Sequence, residues 1–145
     1  TIKILVMGLP GSGKTTFSQE LVKKLMLNNT VKWFNADAVR KEFNDWDFSP
    51  EGRMRQAKRM RLLADKFVET GYPVICDFVC PTKELRDVFD ADLIIWMDTI
   101  QSGRYEDTNA VFERPAENEY DIRIDEFDSD KWALTIADLI SILAD

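Results

Sequence analysis

Hydrophobic positions along the chain change period in a repeating order. Ile2–Met7 is a short apolar run rich in β-branched residues that stops at Gly8, the pattern of a buried strand. From Lys14 to Leu27 the apolar residues Phe17, Leu21 and Leu25 recur every four positions, which predicts an amphipathic helix. Val31–Phe34 reads as a second strand, and Asp37–Phe43 as one or two helical turns. A long helix follows, with Ser49 as N-cap, Pro50 at the first helical position and Gly71 as terminator. Its buried stripe is predicted as Met54, Ala57, Met60, Ala64 and Phe67. Pro73–Asp77 reads as a third strand, Thr82–Phe89 as a helix and Leu93–Met97 as a fourth strand. Tyr120–Ile124 is a candidate fifth strand, and Trp132–Leu143 a closing helix on Trp132, Ile136, Leu139, Ile140 and Leu143.

Strands alternating with helices predict a three-layer α/β/α fold with a parallel sheet of about five strands, covered on both faces. A chain of 145 residues with 45% hydrophobic content supports one core, hence a single domain over 1–145. One long polar stretch, about 99–118, interrupts the pattern and reads as an active-site lid or a mobile loop.

Charge changes the picture when it is located. The net charge of −7 argues against a polyanionic partner such as nucleic acid. Residues 1–72, however, carry 13 Lys and Arg against 8 Asp and Glu, whereas 73–145 carry 6 against 18, so a small anion belongs with the first half. The chain has no histidine, which excludes an imidazole base, a His-bearing zinc site and a Ser-His-Asp triad. Two cysteines four residues apart make no disulfide framework and suit a reducing compartment. No apolar run approaches membrane-spanning length, and Thr1–Met7 is too short for a signal peptide, so a cytoplasmic protein with no membrane partner is expected. Oligomeric state is left open.

The strongest chemical signal is Gly8-Leu9-Pro10-Gly11-Ser12-Gly13-Lys14-Thr15, followed by Thr16, which matches the phosphate-binding loop G-x-x-x-x-G-K-[ST] between a strand and a helix. Glycines let successive backbone N–H groups turn inward around a β-phosphate, and the helix start adds its positive dipole end. Lys14 would reach the β and γ oxygens of ATP, and the Thr15 hydroxyl would ligate Mg²⁺. Small size favours a small-molecule or nucleotide kinase acting on a small anionic substrate.

Asp37 follows the second strand, whose carboxyl end should face the ligand crevice, and is a candidate to orient an acceptor hydroxyl or hold Mg²⁺. Arg40, three residues on, is a candidate anion clamp. Asp77 ends an apolar strand, a usual place for a Mg²⁺-orienting carboxylate. Arg53 and Gln56 near a helix start can reach one ligand together, with Phe48 placed to stack on a base. The rest of the Arg53–Arg61 cluster reads as a solvated face. Arg104 and Arg114 are candidates to close over the phosphates, whereas Asp121–Asp130 reads as a solvated acidic surface. Cys80 reads as a pocket filler and not a nucleophile.

These segments resemble the adenylylsulfate kinases, which phosphorylate the 3′-hydroxyl of adenosine 5′-phosphosulfate (APS) with MgATP to give PAPS. The likeness runs from Gly8 to about Val88 and returns weakly near Glu113–Asp125. The family's D-G-D-N-[VI]-R is similar to Asn35–Arg40, which implies acceptor roles for Asp37 and Arg40. Its N-x-D-L-G-F-S-x-x-D-R-x-x-N stretch resembles Asn44–Gln56 and implies APS contacts at Phe48, Arg53 and Gln56. Its F-I-S-P block is similar to Phe78-Val79-Cys80-Pro81, which extends the implied acceptor site to Phe78 and Cys80. In place of the family's basic lid segment stands Gly103-Arg104-Tyr105-Glu106-Asp107, so two lysines become acids. A polynucleotide 5′-kinase fits Asn35, Asp37 and Arg40 as an alternative, and a nucleotide-binding module without turnover is a further one.

Overall fold

The computed structural model describes residues 2–27 and 30–143. Five strands, β1 (Lys3–Met7), β2 (Lys32–Asn35), β3 (Val74–Asp77), β4 (Leu93–Met97) and β5 (Ile122–Ile124), form one sheet in the order β2-β3-β1-β4-β5. Every neighbouring pair is parallel, with Val6 opposite both Asp77 and Ile95. Parallel pairing requires crossovers, and helices supply them.

β1 is the central strand, buried along its whole length, and its alternation divides the core. Ile4 and Val6 face a cluster with Phe17, Leu21 and Leu25 of α1 (Lys14–Leu25) and Ile136 and Ile140 of α6 (Ser129–Leu143). Leu5 and Met7 face the other cluster, with Ala57, Met60 and Ala64 of α3 (Pro50–Val68) and Leu85 and Phe89 of α4 (Lys83–Phe89). The anticipated three-layer α/β/α arrangement is therefore present. Among the described residues no helix is long and apolar enough to cross a membrane.

Local chemistry sets the helix ends that matter for the site. Asn35 caps α2 (Ala36–Phe43) by accepting from Ala38 N at 3.0 Å, and Ser49 caps α3 by accepting from Gly52 N at 3.1 Å, with Pro50 at N1 as expected. Gly52 permits the segment before α3 to fold back: a Cβ there would lie 2.2 Å from the Asp47 carbonyl oxygen.

Several expectations are corrected. α1 ends at Leu25, and Met26 and Leu27 lie exposed beyond it. α6 begins three residues early, at Ser129, and buries Ala133, Ile136, Ala137 and Ile140, leaving Leu139 and Leu143 outside. The small alanines let it lie close on α1, which turns the larger leucines outward. Phe67 is likewise no core residue; it packs edge-on against Phe34 at the rim, with ring centroids 5.7 Å apart. The polar 99–118 stretch contains α5 (Glu106–Val111) and the start of a 3₁₀ turn, Glu117–Glu119.

Candidate active site

The loop from Gly8 to Gly13 joins β1 to α1 at the carboxyl edge of the sheet. Gly13 takes the N-cap position of α1 with φ +94, a left-handed conformation open to glycine, and offers no side chain to the helix. The first N–H groups of α1 are thus left to a ligand, with the positive end of the helix dipole behind them. Lys14 folds back so that Nζ donates to the Leu9 carbonyl at 3.0 Å. Burial pushes its pKa down to about 8, against the pull of Asp77 and Asp37.

Asp77 ends β3 directly beside β1. One carboxylate oxygen accepts from Asn35 Nδ2 at 3.0 Å and the other from the Trp33 indole N–H. Asn35 Nδ2 also reaches Thr15 Oγ1 at 3.3 Å, so a single amide links the phosphate loop to the strand-end carboxylate. Burial raises the Asp77 pKa to about 6, opposed by the Trp33 bond and by Lys14. Asp37 is exposed on the first turn of α2, close enough to act electrostatically on both Lys14 and Asp77.

These groups open on a cleft of about 1000 Å³. Its floor near the loop is Pro10, Gly11, Gly13, Lys14, Thr15 and Thr16, with Asp37 and Asp77 beside them. Its far arm holds Arg40, Phe48, Arg53 and Gln56, and Phe78 and Cys80 form the wall between. Arg104, Tyr105, Asp107 and Thr108 come over from the 99–113 segment. Gly8 and Ser12 do not line the cleft: Gly8 backs onto Met97, and the Ser12 carbonyl accepts from the Thr99 hydroxyl at 2.7 Å.

The far arm is built by arginines. Arg40 is buried; Nη1 donates to the carbonyls of Asp45 (3.0 Å) and Asp47 (3.1 Å), and its guanidinium lies 4.2 Å from the Phe48 ring centroid. Arg53 sits 5.6 Å from the same ring and donates from Nε to the Phe48 carbonyl at 2.8 Å. Among the described residues neither arginine, nor Lys14 or Arg104, has a carboxylate in salt-bridge range, so four cations face the cleft uncompensated by ion pairs. Gln56 is buried, donating to the Ala36 carbonyl and accepting from Arg59. Of the rest of the arginine cluster, Arg55 is exposed as anticipated, whereas Arg59 is largely buried. Both bind Asp45, and Arg55 also binds Asp47, fixing the loop that carries Phe48.

Cys80 adopts φ +45 with its side chain buried, and burial pushes its thiol pKa up, so it is no thiolate nucleophile. Both cysteines are free and buried. Arg114 is corrected: it turns away from the cleft and makes a two-pronged pair with Asp98, at 3.1 and 3.2 Å. Arg123 joins the same carboxylate at 2.8 Å. Sequence reasoning missed Asp98, which looks like any polar residue after a strand. It also missed Phe127, an exposed aromatic in an acidic stretch that lines the cleft and packs against Gly13.

The family model described as adenylylsulphate kinase matches residues 1–95. The chain belongs to the adenylylsulphate kinase family. A probable adenylyl-sulfate kinase of Aeropyrum pernix is 35% identical over 89 residues, 60% of this chain and 49% of that protein. An adenylyl-sulfate kinase of Bacillus licheniformis is 38% identical over 85 residues, 57% of this chain and 43% of that protein. The chain spans less than half the length of these curated relatives. The APS kinase CysC of Mycobacterium tuberculosis, solved with AMPPNP and APS, shares the fold with a TM-score of 0.84 at 18% identity, over 97% of each chain. A gluconokinase of Sinorhizobium meliloti shares it with a TM-score of 0.68 at 13% identity, covering 99% of this chain and 97% of that one. The family match ends at Ile95, in the middle of β4, so the 99–113 segment lies outside it.

Proposed function

We propose that this domain is an ATP-dependent phosphotransferase that moves the γ-phosphoryl group of MgATP to the 3′-hydroxyl of APS, giving PAPS. The observation that carries the reading is the cleft itself. A phosphate loop with free helix N–H groups lies at one end, an arginine-aromatic arm at the other, and two carboxylates between. The names of the family relatives favour APS over other hydroxyl acceptors.

The loop amides and the Lys14 ammonium hold the β- and γ-phosphates, and Arg104 approaches from the overlying segment. The exposed Phe127 ring beside Gly13 provides a face for the donor base. Asp37 orients the acceptor hydroxyl and takes its proton as the bond to phosphorus forms. Arg40, Arg53 and Phe48 hold the acceptor, with Gln56, Phe78 and Cys80 shaping its pocket. Transfer of this kind is mostly positioning and electrostatic stabilisation.

The donor set fits Mg²⁺. Among the described residues no cluster of three carboxylates exists, and Mg²⁺ beside a nucleotide needs only one or two together with phosphate oxygens and water. Thr15 with Asp77 and Asp37 would hold it, and its charge would offset that developing on the transferring phosphoryl group. Two free buried thiols fit a reducing cytoplasm.

ADP release by purified protein, measured with APS, AMP, gluconate and a 5′-hydroxyl oligonucleotide, tests the reading. APS-dependent release lost in Lys14→Ala and Asp37→Ala supports it. Release with the oligonucleotide alone replaces it with a polynucleotide kinase.

A further inference from the structure

The segment over the cleft is tied down at both ends. Near the phosphate loop, Gly103 lies so close to Pro10 that a Cβ on it would be 2.9 Å from the Pro10 carbonyl, and Asn109 closes on Gly103 with two hydrogen bonds of 2.8 and 2.9 Å. On the opposite side α5 meets the arginine arm, where Arg53 Nη2 reaches the buried Thr108 Oγ1 at 3.4 Å. The residue before Thr108 is Asp107, exposed on the first turn of α5 and lining the same cleft. Among the described residues it is the only carboxylate lining the cleft besides Asp37 and Asp77. Burial lowers the pKa of Arg53, and the negative charge of Asp107 acts in the other direction, which places the two within electrostatic reach without a salt bridge.

We propose that Asp107 sets the anion affinity of the acceptor arm, by holding a fixed negative charge beside the guanidinium of Arg53 that an anionic acceptor must use. The inference rests on the far arm being the acceptor site. An acceptor anion arriving at Arg53 meets the attraction of Arg53, Arg40 and Arg104 and the repulsion of Asp107. The charge of Asp107 trims the binding of an anion and leaves the binding of a neutral group untouched. It acts on the product more strongly than on the substrate, because phosphorylation of a hydroxyl adds roughly two negative charges at neutral pH. Asp107 is therefore a specificity and release residue for anionic ligands, outside the reacting groups.

Isothermal titration of the whole chain, saturated with ADP, with APS and with adenosine tests this. Asp107→Asn should tighten APS by about three- to tenfold, the scale of one partly screened charge. Asp107→Lys should tighten it further, and adenosine should move by less than about twofold across the series. The gain should shrink in roughly 0.5 M salt. Equal tightening of adenosine would mean a rearranged lid and would overturn the inference, as would no change for APS. Inorganic sulfate, titrated in parallel by the same calorimetry, keeps this test separate from the choice of acceptor. Sulfate that tightens in the order wild type, Asn, Lys supports the charge effect even if wild-type protein does not turn over APS, whereas indifference of both anions to the substitutions contradicts it.

Discussion

Lys14 and Asp77 are held in opposite states of discomfort by the same burial. Lys14, brought down to about 8, and Asp77, brought up to about 6, are both charged in the interval between those values. kcat/KM for ATP should therefore follow a bell, with an acid limb near pH 6 as Asp77 loses charge and an alkaline limb near pH 8 as Lys14 does; a pH–rate profile checks it. The stability consequences have definite signs. A lysine with a depressed folded pKa destabilises the protein below about 8, and the penalty fades as pH rises from there towards 10.5. A carboxyl with a raised folded pKa contributes stability at low pH that is lost as pH rises through about 6. Lys14→Met should abolish turnover while stabilising the ligand-free protein at pH 7 by about 1–2 kcal/mol, read as a rise in Tm. Phe127→Ala should raise KM for ATP by about tenfold, the loss of one base-stacking face, with KM for the acceptor unchanged; steady-state kinetics with each substrate varied decide it.

The arm that carries Phe48 depends on how α3 begins. Gly52→Ala would drive a methyl group into the Asp47 carbonyl, so the loop must move, at a cost of about 1–3 kcal/mol. KM for the acceptor should rise while KM for ATP holds, because the phosphate loop belongs to a different element. Ser49→Ala should cost only about 1 kcal/mol by loss of the cap. The start of α3 was legible because Ser49-Pro50 is a local signal, and β1 with its glycine loop was legible for the same reason. The face of α6 was not. Its periodicity allowed a leucine stripe, and the closeness permitted by Ala133 and Ala137 appears only when α1 is in place. The lid was read as one polar stretch because bonds between polar groups leave no hydrophobic period to read: Asn109 closes on Gly103 and Arg114 on Asp98 within or beside the stretch, and Thr99 reaches the distant Ser12.

At the level of the whole molecule, the division of charge between halves was readable, but its meaning at the site was only partly so. Lys14, Arg40 and Arg53 come from the basic half, as the placement of a small anion there implied. The acidic half nevertheless contributes Arg104, Asp77 and Asp107 to the same cleft, because β3 lies beside β1 and the 99–113 segment crosses over both the loop and the arm. Cations converge in a crevice of a protein whose net charge is −7, which suits a compact anion better than a long one. The central claim is that this crevice passes a phosphoryl group from ATP to APS. Transfer of labelled γ-phosphate to APS under single-turnover conditions tests it most directly. The account predicts labelled PAPS from the wild-type protein and none from Asp37→Ala with ATP binding retained. Bound ATP with no label on APS in the wild-type protein would contradict it.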